Sequence, residues 1–287
     1  MGRYWVAASA LSLGLVLCSA PSAIGQMSKP TLQQPSAQQP APSEQQPNAG
    51  QSAPAAQPPV NKEEEDAYKA FFGLTNEQNS EVISQGENFL SKYPTSRYRA
   101  SVYSRLVNVY LNTNQTMKMV AVGEKAVAEN PDNVDVLALL CMVIPRTVDP
   151  NSLDADQKLS EAEKMARHAI EITKSTTKPE GMTDEQFARA KNEKLGMAHF
   201  GLGLVNYMRR NAAGSAEELE LATKLDPAPD PLEFFLLGTE DMQLKKFPDA
   251  MAAFDRCAKA QWDLQWQGRC KKGEEDAKQA AAAPARP

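Results

Sequence analysis

The sequence predicts an all-α protein, a right-handed solenoid of about five helix pairs closed by a C-terminal capping helix. Three observations carry this. Apolar residues recur at the spacing of one helical face, as in Tyr103, Leu106 and Tyr110. No run of alternating β-branched residues reads as a strand, and prolines stand where helices can begin or end. Helix-ending signals also return at a spacing near ~34 residues, with Pro94 and Pro131 37 positions apart. An irregular helical bundle is the alternative, and the period argues against it.

The first helix falls at Lys62 to Gly73, with Ala67, Tyr68, Phe71 and Phe72 apolar. Thr75-Asn76-Glu77-Gln78 has the form of a capping box opening the second, which carries Val82, Ile83, Phe89 and Leu90 and stops at Tyr93-Pro94. The next pair spans Tyr98 to Pro131 and is divided at Asn112-Thr113-Asn114. A third begins near Asn133, carries Leu137 and Leu140, and is expected to break at Pro145. Pro145 to Asp154 then reads as an inserted loop before a helix from about Asp156 to Lys174. Thr183-Asp184-Glu185-Gln186 caps a long helix running toward Met208, with the fourth repeat in its second half. Asp230-Pro231-Leu232-Glu233 starts the fifth, which combines a cap, Pro at the first helical position and Glu at the third. Trp262 and Trp266 lead into the last helix, around Cys270.

The ends of this 287-residue chain differ from its middle. Residues 1–25 read as a secretory signal: Arg3, then an apolar stretch from Val6 to Ala20, then Ala23 and Gly25 as small residues before Gln26. That stretch is shorter than the ~20 residues of a membrane span. Cys18 raises a lipoprotein reading, but Leu17 stands where a small residue is needed. Residues 26–60 are dominated by Gln, Pro, Ala and Ser and form a disordered linker by composition. The repeat domain is expected over 61–272 and a disordered tail over 273–287, the first part of which can continue a helix. The expected location is therefore the periplasm or beyond, after signal cleavage.

The pattern of large residue, Leu, small residue and Tyr, then a break, then small residue, Ala and Pro resembles the tetratricopeptide repeat (TPR). Tyr103, Leu106, Tyr110, Ala126 and Pro131 match it in the second repeat, and Phe234, Leu237, Gly238, Ala250 and Phe254 in the fifth. The Tyr93 to Tyr98 junction is similar to that of bacterial envelope repeat proteins, including outer-membrane assembly lipoproteins and Tol–Pal-associated factors. The resemblance implies a concave groove lined by the first helix of each pair. Carried over residue by residue, the groove includes Asn108 in the second repeat, Phe200, Leu204, Tyr207 and Met208 in the fourth, and Phe235 and Met242 in the fifth. This aromatic and Met-rich set suits an amphipathic helix or apolar peptide. The alternative is coverage by the chain's own helix Asp184–Lys194 or by the C-terminal cap. Chaperone-binding relatives use Lys beside the Asn to hold a terminal carboxylate, but Ser101 and Ser104 stand in those places.

The formal charge of −5 offers no basic surface for nucleic acid, and Arg97, Arg99 and Arg105 are expected on a solvated face. His168 and His199 have no metal-spaced partners and read as packed or surface imidazoles. No nucleophile elbow or phosphate loop occurs, and Gly201-Leu202-Gly203 reads as helix packing, with Asn206 in the third glycine position. Glu63-Glu64-Glu65-Asp66 suits a helix start. No enzyme, cofactor or metal site and no small-molecule substrate is therefore expected. Export favours a Cys257–Cys270 disulfide, although Cys257 also fits the small-residue position of its repeat; Cys141 reads as a buried thiol. The expected function is a scaffold binding a protein or peptide partner in a bacterial envelope. The alternative is an envelope-assembly or cell-division accessory factor positioned near the outer membrane or cell wall by its N-terminal tether.

Overall fold

Eleven helices and no strand make up the described residues of the computed structural model, which are 61–75, 77–260 and 264–283. The expected signal and linker lie outside them, as do Trp262 and the last residues of the chain. In order the helices are α1 (Lys62–Gly73), α2 (Asn79–Lys92), α3 (Arg99–Asn112), α4 (Thr116–Glu129), α5 (Val134–Thr147) and α6 (Ala155–Ser175). There follow α7 (Asp184–Met208), α8 (Ala212–Leu225), α9 (Pro231–Gln243), α10 (Phe247–Lys259) and α11 (Leu264–Ala282). Each packs on its neighbour in the chain, and α5 also packs on α7, so the pairs stack as an all-α solenoid.

Local chemistry sets the helix starts. Asn61 accepts the Glu63 N–H at 3.1 Å, and Thr183–Gln186 and Asp230–Glu233 both form complete capping boxes. The same turn closes the first helix of three pairs. Asn114, Arg210 and Lys245 take φ of 57°, 59° and 59°, and the next N–H returns to Tyr110, Asn206 and Asp241 respectively. That left-handed closure absorbs the carbonyls at a helix end, and its recurrence at equivalent positions marks the repeat. The third pair lacks it: Val148 is extended, and a loop over 148–154 replaces the turn.

Three boundaries differ from expectation. The Thr75 box does not open α2; Gln78 takes the Thr75 N–H at 2.9 Å within a turn, and the helix begins at Asn79. Pro145 does not end α5, which continues to Thr147. A proline this near a helix end removes only one hydrogen bond, and Pro145 is itself buried. At the C-terminus, α11 stays helical to Ala282, beyond the 272 boundary. Ala277 packs on Ala250 and Phe254, and Gly273 lies against the Phe254 ring, so burial holds this turn in place.

The largest core cluster runs from Phe71 and Val82 through Leu106, Tyr110 and Met119 to Leu140, Leu159 and Val205. Further clusters continue it through α7, α9 and α10. The arginines of α3 are not solvated decoration. Arg105 donates to the Phe71 and Leu74 carbonyls at 2.6 and 2.5 Å and lies over the Phe71 and Phe72 rings, closing the end of α1. Arg99 pairs with Glu129 at 2.7 Å. The Glu63–Asp66 run does more than complement a dipole: Glu63 binds Lys92, Glu64 accepts from Ser96, and Glu65 meets Arg97 and Tyr98.

Candidate partner-binding face

The first helices of successive pairs supply this face. On α7, Phe200 and Leu204 are buried, at 2% and 5% exposure, against Leu219, Ala222 and Leu236. These two are interior residues, a correction to their expected place in an open groove. The physical reason is that α5 and α8 pack on α7 and Leu236 of α9 joins the same cluster, so groove positions pointing at a neighbouring helix are covered by it. Phe235 is half-buried and meets Phe254 and Trp266 with ring centroids 5.9 and 5.5 Å away, so the C-terminal cap covers part of it. Met242 packs on the cluster of Ala250, Phe254 and Ala277. Met208 turns toward the large core cluster.

Tyr207 is the open member of the set, 37% exposed. Met142 of α5, half-buried, rests on the cluster formed by Phe200 and Leu204. Asn108 is exposed, but its amide donates to the Ser104 carbonyl at 2.9 Å, and Ser104 Oγ accepts from Asn133 at 2.8 Å. That polar corner is occupied by internal hydrogen bonds.

Beside the apolar residues stand charged groups that the repeat template does not mark. Arg146, in the last turn of α5, has its guanidinium carbon 5.0 Å from the Phe200 ring centroid. Surrounding protein lowers its pKa from the guanidinium value, while Asp230 and Glu233 act the other way. The residue is nonetheless exposed, which fits a side chain on a concave wall with protein behind it and solvent in front. Glu233 is 2% exposed; its carboxylate caps the Asp230 N–H at 3.2 Å, and Oε2 has no hydrogen-bond partner. Burial, with Asp226 and Asp230 nearby, pushes its pKa up to about 8. Burial also raises Glu240, and raises Asp241 to about 6.

Across α8, α9 and α10 lies a cleft of ≈ 620 Å³ over Phe234 and Leu237, rimmed by Glu220, Asp249, Lys224, Lys246 and Arg256. No sequence motif pointed to it. The charges are mixed in sign, without a convergent catalytic set. His168 lies 2.8 Å from Asp132, and His199 lies 2.7 Å from Glu218, each a single pair. Among the described residues no group of three His, Cys, Asp or Glu is placed to hold a metal, and no helix is long and apolar enough to cross a membrane. Cys141 is fully buried, with its thiol pushed up to about 12. Gly201 and Gly203 lie inside α7 against Cys141 and Leu219, so their spacing serves helix packing. Cys257 and Cys270 are joined in a disulfide linking α10 to α11, with a Cα–Cα distance of 5.7 Å.

No protein-family model matches the chain, and no curated protein matches it in sequence. Among solved structures it is similar to pilF of Pseudomonas aeruginosa, at 16% identity and a TM-score of 0.50, covering 77% of this chain and 90% of that one. A thermophilic TPR protein from Thermus thermophilus aligns over 73% of this chain and 98% of its own, at 14% identity and a TM-score of 0.46. The fold is that of tetratricopeptide-repeat proteins. The repeating left-handed turns at Asn114, Arg210 and Lys245 give that fold its register in this chain.

Proposed function

We propose that this TPR-fold chain is a non-enzymatic scaffold, exported to a bacterial envelope compartment, that holds a protein or peptide partner along the first-helix face of its third to fifth repeats. One observation carries the reading. On three successive first helices Met142, Tyr207 and Met242 remain partly open to solvent, with Met142 resting on the packed cluster of Phe200 and Leu204. Residues placed in this way supply contact area without disturbing the core, as helix-in-groove recognition requires. Export rests on the signal-like residues 1–25 and is consistent with a disulfide at the C-terminal end.

The test is capture of partners by the intact exported protein and by a Met142→Glu/Tyr207→Glu variant, with circular dichroism as the folding control. The expected result is loss of the captured set at unchanged helicity. Recovery of the same proteins by the variant removes this face from the mechanism. Phe200→Glu is unsuitable, because that side chain lies in the core.

A further inference from the structure

We propose that Arg146 selects the partner: the first-helix face takes a peptide segment in which an Asp or Glu side chain, flanked by apolar residues, meets the Arg146 guanidinium. This deepens the scaffold reading above and rests on it. The argument begins with position. Arg146 leaves the last turn of α5 and lies over Phe200 of α7, whose cluster also holds Leu236 of α9, so it stands beside residues of three first helices. Met142, one turn earlier on α5, and Phe235 on α9 border the same cluster. A cation is therefore set among apolar contact residues.

Its own neighbours act on that cation only at longer range, without a direct ion pair. Among the described residues Arg146 has no carboxylate partner at hydrogen-bond distance; Asp230 and Glu233 act on it only through their charge. Asp230 favours the cation from a distance, but its carboxylate is held as the cap of α9, accepting the Leu232 N–H at 2.9 Å, and makes no contact with the guanidinium. Glu233 is buried behind the face and holds its proton, so it contributes little negative charge at neutral pH. The guanidinium carbon lies 5.0 Å from the Phe200 ring centroid, and a guanidinium carries the fork of N–H donors that suits a carboxylate. Partial removal from water strengthens such a contact over one on an open surface. Charge complementarity then calls for an acid among apolar side chains, and a basic or purely apolar segment leaves Arg146 desolvated and unpaired.

The probe is a random peptide library displayed on phage, with each peptide fused through its C-terminus so that no terminal carboxylate is available. The baits are the intact protein and its Arg146→Gln and Arg146→Glu variants. The wild type is expected to enrich sequences with Asp or Glu between apolar residues, and Arg146→Glu to replace the acid with Lys or Arg. By fluorescence anisotropy, the most enriched peptide should bind Arg146→Gln about tenfold more weakly than wild type, and equally well as an amide or a free acid. Enrichment without an acidic position, or identical enrichment on Arg146→Gln, overturns the selection role. If those peptides still lose binding to Met142→Glu/Tyr207→Glu, the scaffold face survives while the Arg146 proposal falls. Dependence on a free C-terminal carboxylate overturns it in favour of terminal capture, and no enrichment on any bait overturns both.

Discussion

Replacing Glu233 with Gln should reduce the pH sensitivity of the fifth repeat. The carboxyl is 2% exposed, and burial moves its pKa from 4.5 to about 8. Folded protein therefore keeps the proton to higher pH than unfolded chain does. Stability is greatest below about pH 4.5 and falls until about pH 8, above which both states are ionised. At 1.36 kcal/mol per pKa unit that fall is at most ~5 kcal/mol, and with partial relaxation toward water about 2 kcal/mol is the lower expectation. Gln keeps the side-chain oxygen that caps Asp230, so the α9 start is retained and only the charge is removed. Asp241, raised to about 6, overlaps the lower part of this window, and Glu240 is raised by burial too; both residues stay in each protein, so the difference between the two proteins isolates Glu233. Urea denaturation followed by helical circular dichroism at about pH 5 and about pH 9 measures the difference. Near pH 5 the two proteins should differ little, and near pH 9 the Gln variant should be the more stable. Parallel loss of stability by both between those pH values would refute the assignment of the buried proton to Glu233.

Two other substitutions probe how the end and the middle of the solenoid are held. Cys257→Ser opens a link between residues 13 apart in sequence, which is expected to cost ~3 kcal/mol by the chain-entropy relation. Amide exchange should then quicken in α11 while α3 and α4 keep their protection; uniform protection in the variant would show that packing alone secures the cap. Gly201→Ala places a Cβ 2.5 Å from Cys141 Sγ and 3.0 Å from the Cys141 backbone, so α5 and α7 must move apart at a cost of about 1–3 kcal/mol. Thermal unfolding should show a lowered midpoint, partly restored by Cys141→Ala. An unchanged midpoint would mean that the crossing yields freely.

The parts of the fold legible in the chain were those decided within a few residues. Lys62 to Gly73, the Thr183 box and the Asp230 box depend on a cap and its nearest N–H groups, and each helix begins where those residues direct it. Thr75 to Gln78 shows the limit of such reasoning. The same residue types form one of the local hydrogen bonds without starting a helix, because Gln78 folds back onto the turn. For the face, the repeat template placed Phe200, Leu204, Tyr207 and Met208 together but could not separate floor from opening, since neighbouring pairs set that depth. Arg146 and Glu233 were missed as a related pair because they lie on different helices, and their sequence separation carries no motif.

By itself the amino-acid order determined that this polypeptide forms paired helices, roughly where each begins, and that Cys257 and Cys270 are suited to pairing, since caps, apolar spacing and turn residues act over one or two helical turns. Tertiary structure alone decided which apolar side chains remain reachable, that the C-terminal helix extends over Phe235, and that Glu233 keeps its proton. The reason is physical: exposure and local dielectric depend on atoms brought in by other helices, and no short stretch of sequence contains them.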